Sequence, residues 1–69
     1  MKKKILIQGM NCGHCVAHVE EALKELTGVT EFEVNLEGKY ALVDTTASNE
    51  ELTDAIDEAG YDVVGIEEQ

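Results

Sequence analysis

The sequence predicts an α+β fold in the order β-α-β-β-α-β, and three observations lead to it. Apolar residues alternate with polar ones in four short stretches and recur at helical spacing in two others. Each helical stretch runs into a glycine, Gly28 and then Gly60, with a strand after it. The chain thus reads as one strand–helix–strand unit used twice, with no proline, linker or low-complexity segment to break it. A ferredoxin-like sandwich follows from that order: a four-stranded antiparallel sheet with two helices on one face.

The first strand is expected from Lys3 to Gln8, with Ile5 and Ile7 on one face, Leu6 on the other, and Gly9 at its end. After Cys15, the residues Val16, Val19, Leu23 and Leu26 repeat at helical spacing with Ala22 beside them. Glu20, Glu21, Lys24 and Glu25 take the opposite side, so this is an amphipathic helix, with Gly28 as its left-handed cap. Val29 to Leu36 alternates through Phe32, Val34 and Leu36. Glu37-Gly38-Lys39 turns the chain, and Tyr40 to Thr45 returns as the second strand of a hairpin. A turn centred on Glu37-Gly38 sets Ala41 opposite Val34 and Val43 opposite Phe32. A three-residue turn would instead bring Tyr40 and Leu42 inside, and the first register is preferred. Ser48-Asn49-Glu50-Glu51 has the pattern of a capping box. Leu52, Ala55, Ile56 and Ala59 form the second helical stripe. Tyr61 to Ile66 is the last strand, and Glu67-Glu68-Gln69 is expected to fray.

At 69 residues the chain has length for one domain, residues 1–69, with a modest core. Fifteen acids against five lysines give a net charge of −10. Phosphate contacts need Lys and Arg, so this charge argues against nucleic acid and against an anionic membrane surface. The acidity serves solubility or steers the chain toward a partner with a basic face. Met1-Lys2-Lys3-Lys4 resembles the basic opening of a signal peptide. Its apolar run stops after Ile7, and no stretch reaches membrane-spanning length. A cytoplasmic location with reduced thiols is therefore expected.

Function is concentrated in Gly9-Met10-Asn11-Cys12-Gly13-His14-Cys15, which holds both cysteines. Cys15 is placed at the first turn of the first helix, where free N–H groups and the positive end of the macrodipole favour a thiolate. Cys12 is expected to be the more exposed thiol. Gly9 and Gly13 let the loop bend around an ion. Two soft thiolates suit a low-coordinate ion such as Cu(I) better than Zn(II), which takes four ligands where this loop offers at most three.

Other readings of these residues compete. The pair could be buried cysteines without a ligand role. Cys12-Gly13-His14-Cys15 is also the active-site tetrad of protein disulfide isomerase, but no Trp precedes Cys12 and no proline exists to face the pair. The c-type haem motif fails because Val16 follows the second cysteine. His14 is a third ligand, a group that tunes the thiols, or an exposed loop residue, the last two being preferred. His18 reads as a surface residue. Met10 is a thioether ligand or, preferably, an apolar anchor turned into the core. Tyr61 either covers the site or is an ordinary aromatic at a strand start, and the residues alone do not decide.

The loop, together with Leu26-Thr27-Gly28-Val29 and Gly60-Tyr61-Asp62-Val63 on this element order, resembles the heavy-metal-associated domain in its free-standing bacterial copper-chaperone form. The resemblance covers essentially the whole chain. It implies that Cys12 and Cys15 bind Cu(I), that Met10 is an apolar anchor, and that Tyr61 lies near the metal. It further implies that His14 tunes affinity or metal-bridged dimer formation in an otherwise monomeric protein. Relatives that handle zinc or cadmium often carry an acid before the first cysteine, and the neutral Asn11 favours copper over Zn(II), Cd(II) or Hg(II). The implied activity is transfer by thiolate exchange, without catalysis, to a metal-transporting P-type ATPase or a metal-responsive repressor. A metal-binding module of such an ATPase, a mercury- or cadmium-binding relative, and a thiol–disulfide redox protein are the alternatives.

Overall fold

The computed structural model describes residues 1–69. It contains β1 (Lys2–Gln8), α1 (Gly13–Glu25), β2 (Val29–Asn35), β3 (Tyr40–Thr45), α2 (Asn49–Glu58) and β4 (Asp62–Glu68). The four strands form one sheet in the order β2-β3-β1-β4, every neighbouring pair antiparallel. This is the expected split-βαβ topology. β1 is central because it pairs on both sides, and its alternation of Ile5 and Ile7 with Lys4 and Leu6 assigns the two faces.

Ile5, Ile7, Ala41 and Val43 meet Val19 and Leu23 of α1 and Leu52 and Ile56 of α2 in a single buried cluster. Both helices therefore cover the same face of the sheet. Each large aliphatic residue buried there contributes roughly 1.5–3 kcal/mol of transfer free energy. The hairpin takes the preferred register, with Phe32 opposite Val43 and Val34 opposite Ala41. Tyr40 and Leu42 consequently turn to the open face, where the Lys4 ammonium sits 4.5 Å from the centroid of the Tyr40 ring.

The structure differs from the sequence expectations at several boundaries, each for a local reason. Leu36 lies in the turn and is exposed, because Asn35 ends β2 by accepting the Gly38 N–H on its side chain at 2.6 Å. α1 leaves helical geometry at Leu26, two residues before Gly28. Gly28 has the expected positive φ of 99°, and it admits the close approach of the β3–α2 connection: its carbonyl accepts from Thr46 N at 3.0 Å and from the Thr45 hydroxyl at 2.9 Å. The C-terminal residues are not frayed. Glu67 and Glu68 continue β4 opposite Lys4 and Lys3, and Gln69 N donates to the Lys2 carbonyl at 2.8 Å. A bulge between Leu6 and Ile7 in the β1–β4 pairing leaves Val64 exposed.

Lys3 shares the core face of β1 and is buried. Its ammonium donates to Asn49 Oδ1 at 2.8 Å and to the Ala47 carbonyl at 3.2 Å, which ties the start of α2 to the sheet. No helix is long and apolar enough to cross a membrane.

Candidate metal centre

The cysteine loop is built from three successive decisions of the backbone. Gly9 turns the chain out of β1 with a φ of 93°, a conformation that side-chain-bearing residues resist. Met10 then enters the core and is fully buried, as the apolar-anchor reading expects. Asn11, Cys12, Gly13 and His14 return to the surface, and the helix begins at Gly13. Cys12 is thus the N-cap residue, with φ −152° and ψ 167°, and its carbonyl accepts the Val16 N–H at 3.2 Å. Its side chain makes no capping hydrogen bond, and no acid occupies the first turn. The terminal N–H groups and the positive end of the helix dipole are therefore left to act on the thiols.

The helix starts two residues earlier than its apolar stripe suggested, and Cys15 lies inside its first turn as expected. Cys15 is half-buried against the core and Cys12 is exposed. Their sulfurs are 2.9 Å apart, longer than the roughly 2.05 Å of a disulfide bond, and either can be the donor. Cys15 also lies 3.9 Å from Asn11 Oδ1, a long contact. The Cys15 thiol is lowered from the usual 9.0 to about 7, first by the hydrogen bond from Cys12, then by Tyr61 and the Asn11 backbone, with burial opposing. Tyr61 is raised from 10.0 to about 12, first by hydrogen bonding to Cys15, then by burial and the charge of the two thiols. A phenol beside a thiolate keeps its own proton.

The structure thus brings Cys12 and Cys15 together, and Cys15 and Tyr61 both pack against the core in which Met10 is buried. His14 is exposed, and it lies in the first turn of α1 where the sequence reading had it in the loop. His18 is exposed too, but more is happening there than sequence reasoning expected: its Nδ1 lies 3.0 Å from the Tyr61 hydroxyl. The available signal was its position three residues after Cys15, which sets both on one flank of the helix. No cluster of three or more His, Cys, Asp or Glu side chains is arranged to hold an ion. The donor set on offer is two thiols.

The sequence matches the heavy-metal-associated domain over residues 4–62. The chain belongs to that family. It is 46% identical over 68 residues to the copper chaperone CopZ of Staphylococcus aureus, an alignment covering 93% of this chain and all of that one. Among solved structures, a CopZ metallochaperone matches with a TM-score of 0.87 at 39% identity, covering 93% of this chain and 100% of the other. A copper binding domain from HMA7, a P-type ATPase, matches with a TM-score of 0.85 at 28% identity, covering 96% and 97%. Within the heavy-metal-associated fold, the two thiols sit where β1 passes into α1, on the side of the sheet that the helices cover.

Proposed function

We propose that this chain is a carrier of Cu(I), bound by Cys12 and Cys15 and handed on by thiolate exchange. The observation that carries the reading is the pair of thiols at an uncapped helix N-terminus, one exposed and one with its acidity increased. The similarity to copper chaperones gives the choice of copper its support. A donor set of two sulfurs suits Cu(I) and leaves Zn(II) short of ligands.

Transfer follows from low coordination. A thiolate of the partner adds to the two-coordinate ion, forming a three-coordinate bridge, and one of the original thiolates then leaves. The metal keeps its oxidation state throughout, and a proton returns to the released thiol as the incoming one gives its own up. Cys12 leaves first in this scheme, because it is exposed while Cys15 is packed against the core. Equal slowing of transfer in Cys12→Ser and Cys15→Ser at matched loading would count against that order. Nothing in the scheme needs a catalytic group, so the chain acts as a carrier and not as an enzyme.

The partner is a metal-transporting P-type ATPase or a metal-responsive repressor, met by this chain in the cytoplasm as a monomer or a metal-bridged dimer. With a net charge of −10, the chain suits a partner whose docking face is basic, and transfer to such a partner should slow as salt rises. The likeness to a copper binding domain of a P-type ATPase favours a second reading, in which the chain is itself such a module.

The deciding experiment is an anaerobic titration of the reduced chain with Cu(I) against a competing chelator, in parallel with Zn(II), Cd(II) and Hg(II). It is repeated on the Cys12→Ser/Cys15→Ser variant. Tight Cu(I) binding that the variant loses, with weak Zn(II) binding, is the expected result. Preference for another ion would keep the site and change the cargo. Absence of binding, with thiol–disulfide turnover in its place, would replace the carrier with a redox protein.

A further inference from the structure

The charge of the chain is not spread evenly over its two layers. Eight of the fifteen acids lie in α1 and α2, which hold one lysine, Lys24, between them. The other four lysines belong to β1 and to the turn between β2 and β3. Between the two helices runs a groove of about 570 Å³. Its floor is Ala22, Ala55 and Ala59, short and half-buried, and its rim is Glu21, Glu25 and Glu58, all exposed. Lys24 does not line it. No rim carboxylate is in an ion pair; the one ion pair of the molecule joins the Met1 ammonium to Asp44, at the sheet.

Two further features bear on what the groove receives. α2 ends in Asp57 and Glu58 with no base in its last turn, so negative charge stands at the negative end of its dipole and weakens the helix. A cation brought from outside relieves that repulsion. The groove also opens beside the metal centre. His18 lines it three residues after Cys15, with Nδ1 3.0 Å from the Tyr61 hydroxyl, and the Tyr61 ring lies 3.7 Å from where a Cβ on Gly9 would stand. An incoming thiolate can reach the ion only if the protein that bears it covers this end of the molecule.

We infer that the groove between α1 and α2 is where an acceptor protein docks, and that it takes an arginine or lysine side chain from beside the acceptor's metal-binding thiol. The aliphatic stem lies along the three alanines and the charged head meets the rim carboxylates. The acceptor itself rests on the carrier reading, whereas the preference of the groove for a cationic side chain does not need the metal. The rim carboxylates then count for more than acids elsewhere, which a general pull of the −10 net charge would not produce.

Two triple variants of equal charge test it: Glu21→Gln/Glu25→Gln/Glu58→Gln in the groove, and Glu31→Gln/Glu33→Gln/Glu67→Gln on the open face of the sheet. The metal-free chain is titrated with the thiol-free peptide acetyl-Ala-Arg-Ala-Arg-Ala-amide and followed by amide NMR. Shifts are expected in α1 and α2 around the groove, lost in the groove variant and kept in the sheet variant. Shifts that are absent, spread over both faces, or lost equally in the two variants overturn the proposal. In the Cu(I)-loaded chain, a dithiol peptide with arginine beside its cysteines should remove the ion severalfold faster than the same peptide with glutamine there. The groove variant alone should erase that advantage, and its survival in that variant also overturns the proposal. If the native chain takes up no Cu(I), the carrier reading fails, while the metal-free titration still decides the groove.

Discussion

The two helices of this chain begin in opposite ways, although the same strand–helix–strand unit builds both. At α2, Ser48 accepts the Glu51 N–H at 3.2 Å, and the Glu51 carboxylate accepts the Ser48 N–H at 3.4 Å. Glu50 and Glu51 set negative charge in the first turn. The approach to α2 is equally well tied down: the Thr45 hydroxyl donates to Gly28 O and accepts from Ala47 N, each at 2.9 Å, beside the buried Lys3 ammonium. At α1 the N-cap is Cys12, without a side-chain cap and without an acid in the first turn, and Met10 is the buried side chain that anchors the loop. One terminus is satisfied by the chain itself. The other keeps its N–H groups and dipole for an anion, and the anion the sequence provides is a thiolate.

The largest expected effect comes from removing the apolar anchor. Met10→Ala should cost about 3 kcal/mol in urea unfolding of the metal-free chain, since it empties a fully buried site. At the α2 approach the polar restraints are shared among several groups, so single truncations there should cost less. A loss below about 1 kcal/mol for Met10→Ala would mean that the loop keeps its place without the anchor.

The caps should give effects of opposite sign. Ser48→Ala should cost about 1 kcal/mol, the usual price of an N-cap. Cys12→Ser puts a capping hydroxyl on a residue already in the extended conformation that caps require, and it should stabilise the metal-free chain by up to about 1 kcal/mol while removing a thiol from the site. Urea midpoints at pH 6, where the Cys15 thiol is mostly protonated, isolate the cap from the charge. If Cys12→Ser is destabilising there, the thiol pair contributes more to the fold than a cap does.

The same contrast explains what could be read in advance. The capping box, the hairpin register and the inward Met10 were legible because each is set by residues a few positions apart or by the alternation of one strand. The position of Cys15 in the first turn followed from the onset of the apolar stripe. Three features resisted reading because they are made across the chain. His18 finds Tyr61 from 43 residues away, and Lys3, read from the sequence only as part of the first strand and of a basic opening, finds Ala47 and Asn49. The acidic C-terminal residues looked like a tail, yet they extend β4 because β1 offers pairing partners back to Lys3. Alternation assigns a residue to a face; it does not say what will be waiting there.

The smallest expected effect is on stability against pH, and it belongs to α1 alone. Cys15 is lowered from 9.0 to about 7 in the folded chain, so its contribution is fully present above pH 9 and is lost as pH falls through about 7. Tyr61 is raised from 10.0 to about 12, so its contribution is present below pH 10 and is lost as pH rises through about 12. Both shifts contain the same phenol–thiol interaction, so they are one coupled effect and do not add. Both groups meet solvent, which keeps the effect small. The urea midpoint of the reduced, metal-free chain should therefore rise relative to Cys15→Ser between pH 6.5 and pH 9. Parallel curves would mean that Cys15 is equally acidic folded and unfolded, and that the open end of α1 does nothing for it. Ser48→Ala, measured the same way, should leave that rise in place, because the cap it removes at α2 involves neither Cys15 nor Tyr61.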